Sequence, residues 1–230
     1  VTLANLYMQA GETAKAEEAL KATVKLSPKS LTYRLNLAGL YWQTGRQAQA
    51  RSLLSQNQAE LSESETLELA GFYLRQRDVE SARQTLAAAI KRQPKATRLK
   101  LGLSEVELAQ GRPAAAEKIL NEVAATSGSD RLEALSRLAN LNLSRGQHEQ
   151  ALKQVESLLK ADPASDKGHL LKGRILLVQG DFAGAVAELR TVIGHNPAEI
   201  SAHILLAQAH LAAGQKGLAM DALNSAIKLN

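Results

Sequence analysis

Six glycines set the frame of this chain. Gly11, Gly45, Gly111, Gly146, Gly180 and Gly214 are separated by 34, 66, 35, 34 and 34 residues, and a fixed period of this length marks stacked supersecondary units rather than one folded core. The long interval hides a seventh member. Leu69-Ala70-Gly71-Phe72-Tyr73 aligns with Leu37-Ala38-Gly39-Leu40-Tyr41, which puts Arg77 where the glycine would stand. Five residues after each turn position comes alanine: Ala16, Ala50, Ala82, Ala116, Ala151, Ala185 and Ala219. Nine residues after come Leu20, Leu54, Leu86, Leu120, Val155, Leu189 and Leu223. The pair eight and seven residues before reads Leu3-Ala4, Leu37-Ala38, Leu69-Ala70, Leu103-Ser104, Leu138-Ala139, Lys172-Gly173 and Leu206-Ala207, and Pro28, Pro94, Pro163 and Pro197 stand seventeen residues after.

These residue types have a physical reading. A residue past the last turn of a helix takes a left-handed conformation, which glycine adopts without a steric cost, so Arg77 is expected to be strained or differently turned by about 1 kcal/mol. The alanine marks the point where two helices cross so closely that only a methyl fits. The leucine beyond it fills the wider gap, and the proline ends the second helix. Each unit is therefore a helical hairpin. First helices are expected near 1–10, 31–44, 63–76, 96–110, 131–145, 165–179 and 199–213. Second helices fall near 12–26, 46–59, 78–92, 112–125, 147–160, 181–194 and 215–229. The stretch Thr126-Ser127-Gly128-Ser129-Asp130 reads as the longest loop, while Asn57 to Ser64 lacks the proline and belongs to a unit of 32 residues. The expected architecture is all-α, a right-handed superhelical solenoid of seven helix-turn-helix units, approximately 1–29, 30–62, 63–95, 96–130, 131–164, 165–198 and 199–230, in a single array with no domain boundary.

Composition narrows the function. With 45% hydrophobic and 22% charged residues and a net charge of +5, the chain is foldable and only mildly basic. The absence of cysteine excludes disulfides, thiolate metal sites and thiol nucleophiles from these residues. No apolar run exceeds five residues, too short for a membrane span. His148, His169, His195, His203 and His210 form no i, i+4 ligand pair, although His169 and His203 occupy equivalent places in neighbouring units and are positioned to approach one another. Gly168 to Gly173 followed by Arg174 imitates a phosphate loop but lacks Lys-Ser/Thr and lies inside an expected helix. No Ser-His-Asp set, dinucleotide fingerprint or aromatic–basic nucleic-acid platform is present. The expectation is a non-enzyme with no cofactor, no metal and no nucleic-acid partner.

The pattern Leu-Ala-x-x-Tyr-x-x-x-Gly-x-x-x-x-Ala-x-x-x-Leu with a closing Pro resembles the tetratricopeptide repeat over essentially the whole chain. Tyr7, Tyr41 and Tyr73 stand at the family's helix tyrosine, which Glu107, Asn142, Leu176 and His210 replace later. The family's early Trp is absent, its place taken by Arg34, Thr66, Lys100, Leu135, His169 and His203. Pentatricopeptide repeats share the period, but their longer second helix and base-reading positions are not matched. Relative to whole repeats, Val1 falls inside a first helix and Asn230 one position short of a closing proline. The chain therefore reads as a segment of a longer array, with exposed terminal repeats through which it is expected to form homo-oligomers.

The resemblance implies an inner wall built by first-helix residues thirteen, ten, six, three and two places before the turn. Ten and three before, this gives an apolar stripe that includes Leu35, Met8, Trp42, Leu74, Leu108, Leu143 and Leu177. Six and two before, Asn5, Asn140, Arg174, Gln9, Gln43 and Arg75 supply polar ends, and Arg98 stands thirteen before. Leucines ten before the turn fit inter-repeat core as well as groove. Trp42, the sole tryptophan, is the expected anchor. Arg75, Arg98, Lys167 and Arg174 against Glu105 and Glu133 give the wall a mild positive bias. The family's carboxylate clamp is not matched, because Asn5 fits but Val1 stands where its lysine would.

The function implied is a scaffold that holds a peptide or helix in its concave groove, with register from Asn5, Gln9, Gln43, Asn140 and Arg174. Two rival readings remain. The Ala/Gln/Arg-rich wording resembles repeat lipoproteins and accessory subunits of bacterial envelope or exopolysaccharide export, which would place the chain in the periplasm or cytoplasm of a bacterium. Alternatively, the array docks or regulates an enzyme whose catalytic domain lies outside it.

Overall fold

The computed structural model describes residues 2–229. Its residues group into two compact units, Val1–Arg112 and Pro113–Asn230. The first holds α1 (Thr2–Gln9), α2 (Thr13–Leu26), α3 (Leu31–Gln43), α4 (Gln47–Ser55), α5 (Glu63–Arg75), α6 (Val79–Arg92) and α7 (Thr97–Ala109). The second holds α8 (Pro113–Ala124), α9 (Ser129–Ser144), α10 (His148–Ala161), α11 (Asp166–Gln179), α12 (Phe182–His195), α13 (Ile200–Ala212) and α14 (Lys216–Leu229). Among the described residues there is no strand.

The turns are built alike. All six period glycines have positive φ, and Arg77 joins them at 59°. The amide after the turn residue reaches back to the carbonyl five positions before it, as in Glu12 to Tyr7 at 2.8 Å, Asp78 to Tyr73 at 2.9 Å and Gln215 to His210 at 2.8 Å. That bond closes a Schellman motif and satisfies a carbonyl left over at the helix end. Arg77 is thus turned as the glycines are, and it bears the left-handed strain in full.

Packing follows the phase of the repeat. The alanine five after the turn is fully buried in the first six units and nearly so at Ala219, and the residue seven before the turn is buried in all seven. Gly173 gives the closest view of such a crossing: a Cβ built there would lie 2.8 Å from Leu189 Cγ and 3.5 Å from the Ala185 carbonyl oxygen. In the first unit α1 packs on α2, α3 on α4 and α5 on α6, while α3, α5 and α7 also touch in succession. In the second, α9 packs on α10, α11 on α12 and α13 on α14, with α9, α11 and α13 in succession. First helices therefore line one wall of each unit.

The position of the family tyrosine stays buried even where it is polar. Tyr73 is buried, and its hydroxyl pKa is pushed up to about 12 by that burial, with Asp78 adding and Arg51 opposing. Its polar substitutes are buried too and find partners: Glu107 faces Arg112 at 3.7 Å, Asn142 Nδ2 donates to Gln154 Oε1 at 2.7 Å, and His210 Nδ1 lies 2.7 Å from Gln215 Oε1. Those bonds offset the desolvation of the polar groups.

Two boundaries depart from the sequence expectation. α9 begins at Ser129, directly after Gly128 at φ 93°, so the expected long loop is shorter. α4 ends at Ser55 and is followed by left-handed Asn57 and one 3-10 turn over Gln58–Glu60, where helix was expected to 59. The space beside this shortened helix is filled by Arg34. Its side chain is fully buried, Nη1 donates to the Gln56 carbonyl, and Nε and Nη2 have no protein acceptor. Burial pulls its pKa down, with Glu65 and Glu60 opposing.

Candidate functional site

The first unit carries a trough of about 370 Å³ along its first helices α1, α3 and α5. Apolar contributions come from Met8, Leu35, Leu40 and Phe72, and polar ones from Asn5, Thr32, Asn36, Gln43, Glu68, Arg75 and Gln76. The helical period explains the grouping. Asn36 and Gln43, and likewise Glu68 and Arg75, are seven residues apart and so share one helix face. Asn5, Asn36, Gln43 and Gln76 spend no side-chain hydrogen bond on a described neighbour. Gly39 lies on the trough, and a Cβ there would meet nothing within 4 Å. One unit later, Gly71 leaves room for Arg75, whose Nη1 lies 3.5 Å from the place a Cβ would take.

Of the residues expected from the sequence, Asn5, Met8, Leu35, Gln43 and Arg75 meet at this trough. Gln9 is exposed at the end of α1 and does not line it. Trp42 does not line it either. Its half-buried ring packs edge-on against Phe72 at 6.0 Å and Tyr73 at 6.2 Å, and the Arg51 guanidinium lies over it at 5.2 Å. It is a contact between α3, α4 and α5 rather than an open anchor. Leu74 is half-buried and off the trough, while Arg98 and Leu108 are exposed on α7. Asn36, Thr32, Glu68, Phe72 and Gln76 were missed. Stepping back seven residues from Gln43 and Arg75 would have found Asn36 and Glu68.

The second unit has a smaller recess of about 330 Å³ lined by Leu170, Leu171, Arg174, Ser201, Ile204 and Leu205. Arg174 is held by its neighbour: Nη2 donates to Asn140 Oδ1 at 2.5 Å, while Nε is buried without a partner. Leu143 and Leu177 are half-buried and stand outside this recess. Of the cations expected on this wall, Lys167 is paired with an acid. Glu133 takes Lys167 at 2.7 Å and Arg137 at 2.6 Å. Burial would raise the Glu133 carboxyl, but the hydrogen bonds from Lys167 and Arg137 outweigh it and hold it below the usual range. Glu188 of α12 is likewise held low: burial would raise its carboxyl, but the hydrogen bonds from Lys172 at 2.5 Å and His169 at 2.6 Å outweigh it.

His169 and His203 are each turned to their own loop. The Nε2 of His169 donates to the Pro163 carbonyl and that of His203 to the Pro197 carbonyl, both at 3.0 Å. Among the described residues no three His, Asp or Glu side chains gather as metal ligands, and no helix is long and apolar enough to cross a membrane. Val1, the position compared with the clamp lysine, and Asn230 lie outside the described residues.

Paired helices closed by identical turns, with small residues at every crossing and a wall of first helices, define a helical-hairpin repeat protein. Comparison with known proteins makes this specific. A family model described as tetratricopeptide repeat matches residues 1–60, 68–131, 136–193 and 170–230. The chain belongs to the tetratricopeptide repeat family, and its fold class is the all-α superhelical solenoid of that family. No curated protein sequence matches it. Among solved structures, a tetratricopeptide repeat protein from Parabacteroides merdae aligns at TM-score 0.63 and 16% identity, covering 100% of this chain and 91% of that one. MamA from Desulfovibrio magneticus aligns at TM-score 0.61 and 17% identity over 75% of this chain and 95% of its own. YrrB, described as a repeat protein with an unusual peptide-binding site, aligns at TM-score 0.55 and 13% identity over 78% and 91%. At these identities the likeness is one of fold. The fold is that of a protein-interaction scaffold.

Proposed function

We propose that the trough of the first unit holds an extended segment of a partner protein. The observation that carries this reading is the set of four uncommitted amide side chains, Asn5, Asn36, Gln43 and Gln76, from three successive first helices around an apolar floor. An amide offers both a donor and an acceptor. An extended chain has N–H and C=O groups free to meet them, whereas a helix has spent its own internally. Met8, Leu35 and Phe72 then take alternate side chains of the segment. Glu68 and Arg75, about 10 Å apart along α5 at 1.5 Å per residue, set its direction by opposite charge. The peptide-binding site named for YrrB is in keeping with this use of the fold.

The test begins with peptides selected from a displayed twelve-residue random library against the whole chain. Gly39→Phe, which projects a ring into open space, should abolish binding of the selected peptides. Asn36→Ala and Gln43→Ala should each weaken it about 2- to 10-fold, the worth of one hydrogen bond. Unchanged affinity in Gly39→Phe, with helicity intact by circular dichroism, would show that peptides bind elsewhere.

A further inference from the structure

Arg174 is a positive charge that no acid answers among the described residues. The cations around it are paired: Lys167 and Arg137 share Glu133, Lys172 holds Glu188 and Arg145 holds Glu117, all at 2.5 to 2.7 Å. Arg174 has a neutral amide in that place. Its Nη2 donates to Asn140 Oδ1, and Asn140 Nδ2 in turn donates to the Ser136 carbonyl at 3.0 Å, so α9 orients the guanidinium. The Arg174 Nε is buried without an acceptor, a costly state for a charged donor. The guanidinium borders the recess of about 330 Å³ on α11 and α13, whose other lining residues are Leu170, Leu171, Ile204 and Leu205 with Ser201. Glu199, the acid beside Ser201, is spent capping its own helix through the Ser201 amide at 3.2 Å.

An unanswered guanidinium beside aliphatic walls fits a carboxylate carried next to an aliphatic group. Arginine meets a carboxylate through two parallel hydrogen bonds, and an apolar lining keeps water from competing for them. The recess is at the small end of ligand cavities, with room for one or two side chains rather than a whole ligand. Gln208 stands at the phase of Arg174 on the next first helix, exposed and with its amide uncommitted. Packed helices lie about 8–10 Å apart, the reach of about three extended residues, so that amide can meet the backbone of a segment held at Arg174. We infer that this recess takes the carboxylate of a glutamate or aspartate in an extended partner segment, with a leucine or isoleucine two residues away seated against Leu170, Ile204 and Leu205. Residues i and i+2 of an extended chain share a face, so both side chains reach the same wall. The trough of the first unit is not involved, and this inference stands apart from the reading given to it.

Titration of the isotope-labelled chain with acetyl-Leu-Ala-Glu-Ala-Leu-amide tests it, because NMR reads the Arg174 Nε–H group directly. That signal should shift and saturate at millimolar peptide. Glutamine in place of the glutamate should weaken binding about 10-fold or more, the worth of a charge-assisted hydrogen bond. Arg174→Lys identifies the signal by its loss; it keeps the charge without the fork, and binding read on the Leu205 amide should weaken by a similar factor. Ile204→Asp sets a rival carboxylate at an exposed position and should abolish binding with helicity unchanged by circular dichroism. Gly39→Phe should leave this binding intact. Equal affinity for the glutamate and glutamine peptides overturns the inference, as does an Arg174 signal unmoved at about 10 mM peptide. Hexanoate that binds as tightly as the peptide overturns it too, since the occupant would then be a free acid.

Discussion

Leu189→Ala and Leu223→Ala make the same chemical change at the same phase of neighbouring repeats, and the structure assigns them different costs. Each deletes an isopropyl group, worth about 2.4 kcal/mol of transfer free energy when fully buried. Leu189 is fully buried, lying against Gly173 of α11 on one side and clustering with Leu206 and Ala207 of α13 on the other, so its loss leaves a closed void. Adding the cavity contribution brings the expected cost to about 3.5 kcal/mol, within the range seen for buried leucines. Leu223 keeps nearly half of its surface in water; about half of the transfer value is lost, roughly 1.3 kcal/mol, and no void closes behind it. For a unit the size of Pro113–Asn230, the melting entropy is about 0.25 kcal/mol/K. The midpoints should then fall by about 14 °C and about 5 °C. Thermal and urea unfolding by circular dichroism, at concentrations where sedimentation reports monomer, gives both numbers. Equal costs for the two variants would refute the assignment of this phase to the seam between a second helix and the next first helix.

Two further outcomes concern the turn and the charges. Arg77→Gly should stabilise the first unit by about 1 kcal/mol, measured by urea unfolding, because it removes the left-handed penalty at φ 59° while keeping the same backbone bonds. Glu133 and Glu188 are both held below the usual carboxylate range in the folded chain. Their contribution is complete above the unfolded value of about 4.3 and disappears as pH falls through the lower folded values. Acid titration followed by circular dichroism should show the second unit losing stability below about pH 4.3, with a shallower slope in Glu188→Gln.

The hairpins were legible because their cause is local and repeated. A left-handed turn, a methyl-sized crossing and a filler nine residues on leave marks at fixed positions, so Ala151 or Leu120 could be placed in the core from spacing alone. The trough was legible in part, since Asn5, Met8, Leu35, Gln43 and Arg75 follow from phase. Trp42 shares the phase of Met8, but its ring is long enough to reach the next first helix, where Phe72 and Tyr73 receive it. Phase gives the direction of a side chain and not its reach. Asn142 and His210 looked like weakened repeats, yet each stays buried because a glutamine on the following turn or helix takes its polar end. That partner lies at no constant spacing and leaves no periodic trace.

Arg34 ties the length of the second repeat to its chemistry. A guanidinium occupies the volume beside the foreshortened α4 and takes up the Gln56 carbonyl freed by its early stop. The side chain and the missing residues are thus one alteration written at two places in the gene. Restoring the two residues would push helix into space the arginine fills, and removing the arginine alone would leave a hole with a stranded carbonyl. A copy of this hairpin moved elsewhere in the array would have to carry both the arginine and the short helix, because the one fills the space the other vacates.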